Sequence, residues 1–431
     1  MSLFSLLLFM VLVMALLETP VFTVIAGLSM VCLYFSDGDW LALQSVIIEM
    51  NRLASMPVLV ALPLFTLVGT ILTGTRAPRR IMDLVQALAG WLPGGTAMAA
   101  LVSCAFFTAL TGASGVTIVA LGTVLYPVLR QRGHPEKFTL GLLTTGGSLG
   151  LLFPPSLPII LYGVVGQVDI NQIFKAALIP GLLLVLVLCG YAFWSDRRAR
   201  RLDTSKRVSE RFSLASVGRG LRQSCWDWPI VLIIIIGVYG GYATIAEVSA
   251  LVLAYVIIVE CLILKEVDLL RQLPQMMVDA AMLSGAIIVI LGFALGFTSY
   301  LVDAQIPSRV LAQLTSLSSN KYVFLAGLNL FLLVTGCIMD IFSAIVIVVP
   351  IIVPIAISYA IDPIHLCIIF LVNLEIGYST PPVGINLFIA GLRFNKPVTL
   401  LYRASVPYLI LLLAVLVLVT YLPAVSLWLI G

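Results

Sequence analysis

Residues 146–163 read GGSLGLLFPPSLPIILYG, and residues 373–391 read NLEIGYSTPPVGINLFIAG. Pro154-Pro155 recurs as Pro381-Pro382, an offset of 227 residues, and Gly150 recurs as Gly377. Working outward, Pro127 recurs as Pro354 and Gly69 as Gly296 at the same offset. Proline lacks a backbone donor and clashes with the preceding helical turn, so long apolar segments normally exclude it. Two interruptions at matching places imply an internal repeat whose broken helices mark the working site of a transporter.

Composition sets the class. Hydrophobic residues make up 61% of the chain and charged residues 10%, and the mean hydropathy is +1.14. A soluble domain carries about 25% charged residues, so this chain belongs in a bilayer. The opening Met-Ser-Leu-Phe has no basic region and no small-residue cleavage site, and reads as an uncleaved membrane segment. The seven cysteines show no metal-binding spacing and read as small buried hydrophobes, while His134 and His365 stand alone.

Spans of about 20 apolar residues cross a membrane. The candidates are 3–17, 20–35, 56–75, 96–129, 138–162 and 176–194, and each shifted by 227 lands on another apolar segment: 230–244, 247–262, 283–302, 323–356, 365–389 and 403–421. This divides the chain into a first repeat at 1–195, a basic linker at 196–224 and a second repeat at 225–431. The linker holds Arg197, Arg198, Arg200, Arg201, Lys206, Arg207, Arg211, Arg219 and Arg222, so the positive-inside rule places it in the cytoplasm. If 96–129 and 323–356 are re-entrant hairpins, 20 of the 24 basic residues fall inside, leaving Arg52, Lys175, Arg309 and Lys321 outside. An odd number of passes per half makes the repeats inverted and puts both termini on the outer side. The expected fold is an all-α polytopic membrane protein with two inverted repeats, each carrying one hairpin and one Pro-Pro broken helix.

Four places interrupt the apolar pattern with small and polar residues. Two are hairpin tips, Thr111-Gly112-Ala113-Ser114-Gly115 with Thr117 beyond it, and Thr335 to Asp340. Two are broken helices, Thr144 to Gly150 with Pro154, Pro155 and Ser156, and Asn373 to Gly384. Unwound backbone at membrane depth survives only where protein buries it or where it lines a cavity. Its freed carbonyls, with Ser and Thr hydroxyls, are hard oxygen ligands suited to Na⁺, and half-helix N-termini suit an anion. One tip plus one broken helix per repeat gives one ion site per repeat, with the substrate between them. Asp340 and Glu375 are ionisable groups inside apolar segments, hence candidates for function. Asp340 is either an ion partner or a cap of the tip.

The segments LTGASGVTIVALG (110–122), GGSLGLLFPPSLPIILYG, TGCIMDIFSAIVIVVPIIVPIA (335–356) and NLEIGYSTPPVGINLFIAG resemble the large membrane subunit of tripartite ATP-independent periplasmic (TRAP) transporters, in order and over nearly the whole chain. The resemblance implies a sodium-coupled importer of organic acids, such as C4-dicarboxylate-like or sugar-acid-like anions. It implies an elevator motion of a transport domain against a scaffold, in a bacterial inner membrane. It also implies two partners, a small four-helix membrane subunit and a periplasmic substrate-binding protein, with Na⁺ as coupling ion and no organic cofactor. Carried over residue by residue, substrate contacts fall on Thr111, Gly112, Ala113, Ser114, Gly115, Pro154, Pro155, Ser156, Thr380, Pro381, Pro382 and Gly384. Sodium contacts fall on Gly112, Ser114, Thr117, Gly147, Ser148, Gly150, Gly336, Asp340, Asn373, Gly377 and Thr380. Cys337-Ile338 at the second tip is bulkier than the family pattern.

No GxxxxGK[ST] motif is present, so ATP is not the direct energy source. The competing readings are a stand-alone sodium/carboxylate symporter of related architecture, an ion channel, which would need rings of like residues, and a membrane-embedded enzyme, which would need a catalytic constellation at convincing spacing. No feature points to nucleic acid.

Overall fold

A computed structural model describes Leu7, Met10, Val13 and Met14 and residues 21–37, 44–202, 214–317 and 320–430. The expected span at 3–17 lies mostly outside the described residues, as do residues 203–213 of the linker and Gly431. Among the described residues there is no strand.

In the first repeat, α1 is Val21–Asp37, α2 Gln44–Ala54, α3 Ala61–Thr73, α4 Ala77–Ala89, α5 Gly95–Thr111, α6 Ser114–Gln131, α7 Glu136–Gly146, α8 Leu157–Gly166 and α9 Ile170–Leu202. Then come α10 Leu214–Gln223, α11 Trp228–Ile234 and α12 Ile245–Ile257, the last two each continued by a π-helical segment, Ile235–Tyr239 and Ile258–Ile263. The remainder is α13 Gln272–Asp303, α14 Ile306–Leu317, α15 Lys321–Ile338, α16 Ile341–Ser358, α17 Pro363–Gly377, α18 Ile385–Phe394, α19 Val398–Tyr421 and α20 Pro423–Leu427. Six of the described helices are long and apolar enough to cross a bilayer, or up to nine if each bent pair is one span.

The offset of 227 aligns helices as well as prolines. Shifted by it, Ser114–Gln131 (α6) falls on Ile341–Ser358 (α16), and α5, α7, α8 and α9 fall on α15, α17, α18 and α19 to within a few residues at their starts. The helices then exchange partners reciprocally: α8 packs on α16 while α6 packs on α18, and α7 packs on α19 while α9 packs on α17. Around them α1 packs on α13 while α3 packs on α12. Each contact has its mirror with the repeats swapped, which is what a two-fold relation between like units produces. An impermeant thiol reagent should accordingly reach Arg219→Cys only from the cytoplasm and Lys321→Cys only from the periplasm; labelling of both from one side would contradict the inverted arrangement.

Three boundaries differ from the sequence reading. The stretch read as linker from residue 196 is still α9, which runs to Leu202 because Arg197 to Leu202 contains only good helix formers. The segments expected at 56–75 and 283–302 are not alike. The first is bent by 68° where α2 meets the turn at Pro57, whereas α13 is one helix of 32 residues. Pro57 has no counterpart in the second copy, where position 284 is Ser, so nothing stops the helix there. The short helices α2, α4, α10 and α14 are amphipathic and lie outside every apolar run.

Exposure fits a lipid setting. Large side chains such as Leu186, Ile236, Met282 and Leu330 are exposed, whereas hydroxyls of Ser103, Thr108, Thr117, Thr144 and Thr145 sit at 0% exposure inside the bundle. Polar groups inside and apolar groups outside is the sense expected where lipid is the solvent.

Candidate functional site

The first hairpin reverses at Gly112, whose φ of +64° is in the left-handed region, between α5 and α6, which pack together. A side chain on Gly112 would strike Leu157 at the start of α8. The outer helix α3 also reaches this tip, since a Cβ on Gly69 would lie 2.8 Å from the Cα of Thr111. Beside the tip, α7 ends at Gly146 and a short 3-10 turn, Leu149–Leu152, leads through Pro154-Pro155 into α8, with a bend of 48°.

Thr108, Thr111, Thr117 and Gly147 converge here. Thr108 Oγ1 lies 2.7 Å from the carbonyl oxygen of Gly147, 2.9 Å from Thr117 Oγ1 and 2.8 Å from the carbonyl oxygen of Cys104. Thr111 Oγ1 lies 3.4 Å from Thr117 Oγ1. A hydroxyl has one proton to donate, so Thr108 can donate to only one of the two carbonyls at a time, while Thr117 Oγ1 can donate to Thr108 or accept from it. The pocket is richer in oxygen lone pairs than in protons, which is the chemistry of a hard-cation site.

Sequence reasoning missed Thr108, because it lies mid-helix in an apolar run. The available signal was its repeat partner: Thr335 stands 227 residues later and donates to the carbonyl of Phe331 as Thr108 does to that of Cys104. The copies then diverge. The equivalents of Thr111, Thr117 and Gly147 are Ile338, Ala344 and Leu374, so the three-hydroxyl cluster exists only in the first repeat.

Close backbone approaches persist in both repeats. A Cβ on Gly150 would lie 2.2 Å from the carbonyl oxygen of Ala105 and 2.4 Å from the nitrogen of Ala109. One on Gly377 would lie 2.7 Å from the carbonyl carbon of Gly336. Ala109 and Gly336 are themselves equivalent positions. Each broken helix is therefore pressed against the first arm of its own hairpin with no room for a side chain.

The second tip is built around Cys337 and Asp340. Cys337 Sγ lies 3.2 Å from the carbonyl oxygen of Thr380, and Thr380 Oγ1 donates to the carbonyl of Ile376. Asp340 is the N-cap of α16: one carboxylate oxygen accepts from the amides of Phe342 (2.9 Å) and Ser343 (3.1 Å), the other from Ser343 Oγ at 2.5 Å. Gly384 turns the chain into α18 with φ +28°. The two repeats meet where Ser114 Oγ donates to Asn386 Oδ1 at 2.7 Å, a partner absent from the sequence reading; the Asn386 amide nitrogen is buried and has no protein partner.

Other expected residues lie apart. Asn373 Nδ2 donates to Asn329 Oδ1 (2.7 Å) and to the carbonyl of Ile369, tying α17 to α15. Glu375 is fully buried with neither carboxyl oxygen hydrogen-bonded. Ser148 turns back to the carbonyl of Thr145, and Ser156 Oγ is buried without a partner. Pro154 faces a largely apolar cavity of about 710 Å³ shared with Leu110, Phe153 and Lys175. Pro381 is half-buried and Pro382 exposed, and the carbonyl of Pro382 accepts from Tyr402. Among the described residues no cluster of three or more His, Cys, Asp or Glu could hold a metal ion.

A family model described as "Tripartite ATP-independent periplasmic transporter, DctM component" matches residues 8–425. The chain belongs to this family. It is 34% identical over 386 residues to the C4-dicarboxylate TRAP transporter large permease protein DctM of Pseudomonas aeruginosa, covering 90% of this chain and 89% of that one. It is 32% identical to the isethionate TRAP transporter permease protein DctMQ of Oleidesulfovibrio alaskensis, over 89% of this chain but 60% of that longer protein. Among solved structures, the YdaH transporter of Alcanivorax borkumensis superposes with a TM-score of 0.63 over 89% of each chain, at 14% identity, a likeness of fold. This TRAP large permease is thus a multi-pass inner-membrane transport protein and not an enzyme. The two tips and two broken helices described above are the interrupted segments on which the family resemblance rests.

Proposed function

We propose that this TRAP large permease is the sodium-coupled import subunit for a small organic anion, working by an elevator motion with a small membrane subunit and a periplasmic substrate-binding protein. The observation that carries the sodium reading is the cluster of Thr108, Thr111, Thr117 and the Gly147 carbonyl, which has more oxygen lone pairs than protons. Among the residues expected to touch Na⁺, Thr117, Gly147 and Gly150 belong to this cluster or pack directly on it. Gly112 and Ser114 form the tip above it. In the second repeat Gly336, Gly377 and Thr380 adjoin the tip, and an ion there would rely on backbone carbonyls and the Thr380 hydroxyl while Asp340 holds α16 in place. The substrate belongs between the tips, near the Ser114–Asn386 contact, where both repeats contribute. The relatives named for C4-dicarboxylates and isethionate support a carboxylate or sulfonate as cargo.

In proteoliposomes this chain alone should move little substrate. Uptake should appear when the small subunit, the liganded binding protein and an inward Na⁺ gradient are all present. One charge crossing 100 mV is worth about 2.3 kcal/mol, so uptake should also follow membrane potential if more Na⁺ than anionic charge enters. Full uptake without the binding protein would favour the stand-alone symporter, and uptake indifferent to Na⁺ would overturn the coupling.

A further inference from the structure

A line of buried polar side chains runs through the second repeat. His365 Nε2 lies 3.3 Å from the carbonyl oxygen of Thr420. Thr420 Oγ1 accepts from Asn329 Nδ2 at 3.1 Å, and Asn329 Oδ1 accepts from Asn373 Nδ2 at 2.7 Å. None of the four residues is more than 8% exposed. Together they join α17, α19 and α15. Asn373 stands eight residues beyond His365 on α17, about 12 Å of helix at 1.5 Å per residue.

At the outer end, His365 lines a cavity of about 200 Å³ with Lys321, Tyr322, Asp362, Thr420 and Tyr421. Lys321 is among the residues that the basic-residue bias places outside, so this end faces the periplasm. Asp362, whose carboxylate accepts from the amides of Ile364 and His365, offsets the charge of Lys321 at the mouth. At the inner end, Asn373 stands one turn before Gly377, and Asn329 two turns before Gly336. Gly336 and Gly377 are the pair pressed together at the second tip.

Polar side chains that bond across membrane helices ordinarily serve as glue, and glue leaves no buried group unpaired. Here two lone pairs are left over. The Thr420 carbonyl can only accept, so Nε2 of the neutral imidazole carries the proton and Nδ1 keeps a lone pair. The Ile369 carbonyl, 2.8 Å from Asn373 Nδ2, fixes the orientation of that amide in the same way. His365 Nδ1 and Asn373 Oδ1 are both buried with no hydrogen-bond partner. Two acceptors without donors, one at each end of the line, suit a ligand that brings positive charge or the protons of its own water. The repeat supplies a control. The positions matching Asn329, His365, Asn373 and Thr420 are Val102, Phe138, Gly146 and Phe193. Inverted symmetry would lead a matching line in the first repeat to the cytoplasm, and there these polar side chains are absent.

We propose that His365, Thr420, Asn329 and Asn373 line an entry route for Na⁺ from the periplasm to the ion site of the second repeat. This rests on the sodium-coupled reading. The hard oxygens of Thr420, Asn329 and Asn373 replace waters of the ion in succession, while His365 Nδ1 accepts from a water that the ion still carries at the mouth. With no such line in the first repeat, the route loads from outside only, and Na⁺ leaves to the cytoplasm by another way.

The test is the initial slope of uptake against external Na⁺, which reports how fast ions arrive, set beside the Na⁺ midpoint of thermal stabilisation, which reports binding at equilibrium. The full-length protein is used with its small subunit in liposomes and with liganded binding protein. Asn329→Val and His365→Phe each install the residue that the first repeat carries at the matching place. Each should lower the slope by about tenfold or more, because the ion then loses a replacement for its water, while the midpoint stays within about twofold of wild type. Efflux driven by internal Na⁺, collected by unliganded binding protein outside, should keep its slope; equal loss from both sides would overturn the one-sided route. A lower melting temperature with an unchanged slope would make the four residues glue, and a midpoint shifted as far as the slope would make them the site itself; either result overturns the route. Wild-type uptake indifferent to Na⁺ would instead overturn the sodium reading. If the buried variants do not assemble, Tyr322→Cys, exposed at the mouth, is labelled in a Cys-free protein with cationic, neutral or anionic thiol reagents of one size. The cationic adduct should lower the slope about threefold or more against the neutral one and the anionic adduct should raise it, both effects shrinking as ionic strength rises. Three equal slopes would overturn the proposal.

Discussion

Gly150→Leu abolishes uptake while leaving the protein inserted and bound to its small subunit. The reason is distance. A Cβ at Gly150 meets the carbonyl oxygen of Ala105 at 2.2 Å, the nitrogen of Ala109 at 2.4 Å and the Cβ of Thr108 at 2.6 Å. Two of the three are backbone atoms that cannot rotate away, so α5 and the broken helix must separate. Overpacking a tight interior costs about 1–3 kcal/mol for a few added methylenes, which membrane insertion survives. Function does not survive it, because a displacement of about 1 Å at a binding constellation costs on the order of 100-fold, and here the displaced group is Thr108 itself. Gly150→Ala should already fall most of the way. Gly377→Leu should behave alike through its contact with Gly336. Gly190→Leu is the control, since nothing lies within 4 Å of its added Cβ. The measurement is uptake with a liganded binding protein, alongside co-purification of the small subunit. Near-normal uptake by Gly150→Leu would place the working site elsewhere.

Thr108→Val raises the Na⁺ concentration needed for half-maximal uptake by roughly 5- to 150-fold, the equivalent of about 1–3 kcal/mol for a buried polar group left unpaired. Valine keeps the shape and removes the oxygen that lies nearest both Gly147 and Thr117. Thr117→Val should act in the same direction. Thr335→Val should shift Na⁺ dependence less, because its surroundings carry none of the hydroxyls that crowd Thr108. Thermal stabilisation of the purified protein by Na⁺, with K⁺ as control, reads the same site without turnover. If Thr108→Val keeps wild-type Na⁺ dependence in both assays, the cluster is a packing motif and the ion binds at another place.

What the sequence made legible, and what it hid, follows from a single property. Repetition exposes the prolines and glycines that both copies kept. Hairpin limits of 96–129 and 323–356 fall within two residues of the observed Gly95–Gln131 and Lys321–Ser358, and Gly150 with Gly377 emerged because both copies need the same close approach. Thr111 and Thr117 have no hydroxyl-bearing partners in the second repeat and were legible only from their place at the tip. Thr108 was missed although Thr335 repeats it, because both threonines sit inside apolar helices. Asn386 was hidden because its partner, Ser114, lies 272 residues away. The amphipathic helices α4 and α14 fell below any test for apolar runs. Asp340 carried two readings from the start; its carboxylate caps α16, as two amides and a hydroxyl at 2.5–3.1 Å show.

The exchange of partners between repeats has a consequence for how the protein comes into being. The second arm of the first hairpin, α6, leans on α18, and Ser114 waits for Asn386. A ribosome must therefore deliver the chain past residue 386 before the first tip finds its neighbour, and contacts so distant in sequence close slowly. Until then the first half lies in the membrane with the face of α6 that α18 will cover, Ser114 included, still open. The earlier half acquires its final shape only from the later one, and a truncated product would present that surface to whatever quality control patrols the bilayer.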